Sequence, residues 1–205
     1  MEIQDVLSED QGRIKRTFSA LEDRGVDCTY VSDRAAALAL LQTWLPNGAS
    51  VAHGSSTTLS EIGLVDYLQH NNSPYRYLND EWRRESDAAA RYRLRARLSL
   101  EAEWYLGSVQ AICETGQVIG ADASGSRQAF YIFGPPQVIW VAGVNKLVPS
   151  LEDGFRRVHE VALPQEDQRM KNQGASGSYV GKLVVYEREK PGRISLILVG
   201  QSLGF

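Results

Sequence analysis

Apolar residues early in the chain fall at helical spacing and then give way to short apolar runs. Ile14, Phe18 and Leu21 make one stripe of a helix over about residues 9–24, closed by Gly25. Val26–Val31 reads as a strand. Asp33 is placed to cap a second helix carrying Leu38, Leu41 and Leu45, Pro46 ends it, and 49–52 restarts as a strand. A Gly/Ser/Thr turn at 54–58 leads into Leu59, Ile62, Leu64, Val65 and Leu68 on another helix, with Thr58 and Glu61 spaced as a capping box. Residues 80–98, rich in Arg and Glu, read as a partly exposed helix.

Apolar runs at 108–114 and 117–121 flank Thr115-Gly116, which suits a two-residue hairpin turn. Residues 137–143 are continuously apolar, as in a central strand covered on both faces. A helix over 151–161 should stop near Pro164. A loop rich in Gly, Ser and Asn at 172–178 precedes a C-terminal β-hairpin over about 181–200, turning at Lys190-Pro191-Gly192. Strands alternating with helices predict an α/β fold, a layered sheet with helices on both faces, in a single domain spanning 1–205.

Composition narrows the function classes. With 205 residues, 43% apolar and 23% charged, the chain lies in the globular range and needs no disulfide or zinc to hold its core. A net charge of −3 argues against nucleic-acid binding. Arginine supplies 17 of the 22 cations, however, and Arg grips carboxylate and phosphate in bidentate fashion, so a small anionic ligand stays open. Cys28 and Cys113 form no CxxC, and the three histidines show no metal spacing, so no metal site is expected. The acidic first residues are unlike a signal peptide, and the longest apolar stretch is broken by Gly134, Pro135 and Pro136. A cytoplasmic protein with no membrane partner is expected.

Four segments carry candidate chemistry. His53-Gly54-Ser55-Ser56-Thr57 lies between a strand and a helix, where backbone N–H groups can meet a phosphate or carboxylate. Asp122, Gly125 and Arg127 follow another strand; Asp122 could orient a hydroxyl and Arg127 an anion, or the two could pair and close their own turn. Asn145 and Lys146 end the most apolar strand, where the cation can reach an anion. Glu114, at a tight turn, could act as a nucleophile or base, or stand as an exposed hairpin residue.

The run Gly54-Ser55-Ser56-Thr57-Thr58-Leu59-Ser60-Glu61-Ile62-Gly63-Leu64, the segment Gly107 to Ile112 followed by Glu114-Thr115-Gly116, and Phe133-Gly134-Pro135 through Val141 to Lys146 together resemble the LUD domain, or lactate-utilisation protein, family. The resemblance implies a fold similar to the NagB/RpiA/CoA-transferase group and to 5-formyltetrahydrofolate cyclo-ligase. It implies a role in lactate or related organic-acid utilisation, with a small anionic metabolite, a nucleotide or a CoA-type ligand at the strand-end turns. Its alternatives are a transferase or cyclo-ligase enzyme, in which Glu114 looks like the catalytic glutamate of a Glu-x-Gly turn, and a non-catalytic subunit docking an iron–sulfur protein. Monomer and homo-oligomer both stay open. Two positions depart from the pattern: His53 stands where relatives often have glycine, and residues 173–178 lack the cysteines many relatives carry there.

Overall fold

The computed structural model describes residues 3–70 and 73–205. Its strands, numbered along the chain, form two sheets. The larger contains β1 (Val26–Val31), β2 (Ser50–His53), β3 (Arg76–Tyr77), β4 (Trp104–Gly107), β7 (Gln137–Gly143) and β10 (Ile194–Val199) in the order β1-β10-β7-β4-β2-β3, every pair parallel. The smaller is mixed, with β5 (Ala111–Cys113), β6 (Val118–Asp122), β8 (Leu147–Val148) and β9 (Lys182–Tyr186) in the order β8-β5-β6-β9.

Alternation along the strands of the large sheet sorts its core into two layers. Val138, Trp140, Leu196 and Leu198 pack on the face covered by α1 (Ile3–Glu22), to which Ile14, Phe18 and Leu21 contribute. Ile139, Val141, Ile197 and Val199 point the other way, onto Ala37 and Leu41 of α2 (Arg34–Trp44), Leu59 of α3 (Thr57–Glu61) and Leu64 and Leu68 of α4 (Leu64–Gln69). Each fully buried Val, Ile or Leu among them contributes about 1.5–3 kcal/mol. The segment 137–143 is thus the two-sided strand its apolar run predicts. Beyond the short α7 (Gln128–Ile132) lies α8 (Leu151–Arg157), which a third cluster joins to the small sheet through Ile119, Val148, Leu151 and Phe155.

Local signals hold where the cap or turn chemistry is simple. Asp33 caps α2 by accepting from the Ala36 N–H at 2.9 Å. Strands β5 and β6 form the expected hairpin, although its loop has three residues rather than two, closed by Gly116 at φ +89°. The charged stretch over 80–98, by contrast, is not one helix: it divides into α5 (Leu78–Arg83) and α6 (Ala88–Glu101), the latter started by its Asp87 cap.

Four further expectations need correction. The C-terminal hairpin over 181–200 does not form: β9 pairs antiparallel with β6, and β10 runs parallel between β1 and β7. Ile194–Val199 is apolar on both faces, so it gains more from a slot inside the large sheet than from a two-stranded ribbon. The capping box is also absent. Ser56 caps α3 by accepting from the Leu59 N–H, while Glu61 accepts from the Gly204 N–H. The helix expected through Leu68 breaks at Gly63, which adopts φ +78°. Pro164 does not end the helix that starts at Leu151. A π-helical turn (Val158–Ala162) intervenes and α9 (Leu163–Asn172) continues, with Pro164 in its first turn. The wider turn relieves the clash a proline makes with the preceding turn, and the proline has no N–H to satisfy there.

Among the described residues, no helix is long and apolar enough to cross a membrane. Because β2, β4 and β7 are parallel neighbours, the turns that follow them emerge along one sheet edge. That edge is where ligands bind in open α/β sheets.

Candidate functional site

Three chain segments leave that edge together. After β2 comes Gly54-Ser55-Ser56-Thr57, after β4 comes Ser108, and after β7 a 3₁₀ turn (Val144–Lys146) carries Lys146. The end of β6 brings Asp122 and then Arg127 from the small sheet. A cavity of about 170 Å³ lies among them, its walls including Ser55, Thr58, Ser108, Asp122, Arg127 and Lys146. Val158 and Ala162 from the π-helical turn, with Leu163 and Met170 of α9, add apolar wall, and Phe205 also borders the cavity.

Arg127 ties two of these turns together. Its guanidinium donates to the carbonyls of Ser55 at 3.2 Å and Ala121 at 2.9 Å, and its Nε lies 3.5 Å from the Asp122 carboxylate. Asp122 also accepts from the Arg127 backbone N–H at 2.8 Å, closing its own turn. These contacts are the self-pairing that closes the turn. Gly54 is needed because a Cβ there would lie 2.2 Å from Arg127 Cγ. The glycine makes room for an arginine of this chain.

Lys146 is 2% exposed, and its ammonium donates to Ser108 Oγ at 2.9 Å and Thr58 Oγ1 at 3.1 Å. The third donor meets no acceptor, and no carboxylate lies within salt-bridge distance, among the described residues. Burial, reinforced by the charges of Arg157 and Arg127 and partly offset by Glu61, pushes the amine down to about 7. The other cations on the wall are engaged: Arg127 with Asp122, and Arg169 with Glu166 at 2.7 Å. Lys146 is therefore the wall cation whose charge is least compensated.

A second cavity of about 390 Å³ adjoins the first across Ser55, Ser56, Thr57 and Arg169, and is lined by Arg83 and Arg95. His53 borders it but is fully committed. The Gly54 carbonyl can only accept, so His53 Nδ1 carries the proton and donates to it at 2.7 Å, while Nε2 accepts from the Tyr77 hydroxyl at 2.6 Å. Burial first, then the charges of Arg83 and Arg95, hold the imidazole neutral by lowering its pKa to about 4.

The structure therefore gathers Ser55, Ser56, Thr57, Asp122, Arg127 and Lys146 at one cavity, with His53 on the adjoining one. Three residues singled out in the sequence lie elsewhere. Asn145 clamps the tail, donating to the Gly204 carbonyl and accepting from the Leu203 N–H. Gly125 holds a turn at φ +86°. Glu114 is not brought to the cavity: its carboxylate accepts from Arg13 of α1 at 2.6 Å, because the β5–β6 loop turns back against that helix.

Sequence reasoning missed Ser108 and Thr58 as partners of Lys146. It began a strand at Ser108 and overlooked β4, four residues whose Gly107 admits the Tyr131 ring where a Cβ would clash. A Gly-Ser pair directly after an apolar run was the available signal. Among the described residues, no cluster of three His, Cys, Asp or Glu side chains could hold a metal ion.

The model of the LUD domain family matches residues 14–199. The crystal structure of a DUF162 family protein from Deinococcus radiodurans is similar in fold, with a TM-score of 0.56 at 15% identity, covering 93% of this chain and 98% of that one. No curated protein matches the chain.

Proposed function

Because the chain belongs to the LUD-domain family, we propose that it binds a small anionic metabolite, or the anionic end of a nucleotide or CoA-type ligand, against Lys146, and that it serves lactate or related organic-acid utilisation. The observation that carries the reading is a buried ammonium that faces a cavity with, among the described residues, one donor unused and no carboxylate beside it. An isolated buried charge is costly, and an anionic ligand would relieve that cost. Arg127 and Ser55 shape the mouth of the site, and the arginine-lined second cavity leaves room for an extended ligand.

The transferase alternative built on Glu114 has no support from its position against α1. Family membership itself supports the organic-acid setting without naming the ligand.

A thermal-shift and calorimetric screen of lactate, pyruvate, sugar phosphates, nucleotides and acyl-CoA tests the proposal. A true ligand at 100 times its dissociation constant should add about 2.7 kcal/mol of stability. Lys146→Met should remove that gain while staying folded, and unchanged affinity in the folded variant would sink the assignment. The attraction requires the protonated amine, so affinity should fall as pH rises through about 7.

A further inference from the structure

Ser108, Lys146 and Thr58 form a group that anion binding does not explain. All three line the cavity and are at most 4% exposed. Lys146 Nζ lies 2.9 Å from Ser108 Oγ, and Thr58 Oγ1 at 3.1 Å fixes the amine from a second side. A hydroxyl within hydrogen-bond reach of a base, with the base oriented by a third group, is the arrangement that activates a nucleophile.

We propose that Ser108 is a nucleophile for activated acyl compounds, esters or thioesters with a short apolar acyl group, and that Lys146 is its base. Val158, Ala162, Leu163 and Met170 supply the apolar wall such a group needs. Ser108 gives its hydroxyl proton to neutral Lys146 as Oγ bonds to the acyl carbon. The C–O or C–S bond of the substrate breaks, and the departing alcohol or thiol takes that proton from the ammonium. Water then attacks the acyl-serine, passing a proton to Lys146, which returns it to Ser108 Oγ as the acid leaves. Thr58 is a positioning residue, holding Nζ toward Ser108.

A short-chain alkyl fluorophosphonate tests this without a known substrate, read by intact mass and peptide mapping. One adduct on Ser108 is expected, forming faster as pH rises through about 7, where the amine, faced by Arg157, Arg127 and Glu61, becomes neutral. Ser108→Ala should abolish the adduct, Lys146→Met should slow it at least tenfold, and Glu114→Gln should leave it unchanged. Should Ser108→Ala not fold, the thiol introduced by Ser108→Cys is expected to react with iodoacetamide at a rate that adding Lys146→Met slows. No adduct on the folded wild type, an adduct elsewhere, or a wild-type rate in Lys146→Met overturns the proposal. Anions that stabilise a chain whose Ser108 stays unlabelled would refute the nucleophile and leave anion binding standing. Labelling with no anion effect would support the nucleophile alone.

Discussion

His53 and Gly54 show how little a residue type reveals about its use. A histidine before a Gly/Ser turn invites a reading as donor or base, yet both ring nitrogens are occupied within the fold. Its folded pKa of about 4 lies below the ordinary 6.5, so the unfolded chain binds more protons between those values. Stability should fall as pH drops from about 6.5 to 4, and His53→Gln should flatten that segment of the curve, measured by urea midpoints across the range. Gly54→Ala is expected to drive Arg127 out of place and cost about 1–3 kcal/mol, the usual range for overpacking. Thermal melts and anion titration would show the loss together. Sequence placed Lys146 at a strand end correctly, but its burial against two hydroxyls arises from segments 38 and 88 residues away and has no local signature.

At the scale of elements, several local signals were read correctly, although the Thr58–Glu61 capping box and the helix running through Gly63 were not. Asp33, the helix stripe at Ile14, Phe18 and Leu21, and the β5–β6 hairpin depend on neighbours within a few residues. Asp33→Ala should remove one cap bond and lower stability by about 0.5–2 kcal/mol, checked by denaturant midpoint. Elements that depend on distant partners escaped. β4 is four residues long and gains its identity from β2 and β7. The π-helical turn hides because a proline in a helical pattern reads as a stop, whereas here the widened turn carries the chain past Pro164 and turns Val158 and Ala162 toward the cavity.

At the scale of the whole molecule, the layered α/β class and the family followed from motif order, whereas the sheet order did not. Two apolar strands near the end of the chain look like a hairpin until the large sheet offers one of them a slot buried on both faces. A chain ended after residue 190 should therefore lose its cooperative unfolding transition, because β1 and β7 would face an empty position; calorimetry would show a sharp transition in the full chain alone. The same placement orders events during synthesis. Residues 26–31 pair with residues 194–199, so the whole intervening stretch must leave the ribosome before the large sheet can close. The long wait leaves apolar strand edges open to chaperones or to other nascent copies, and binding energy from any ligand at the carboxyl edge arrives only after that closure.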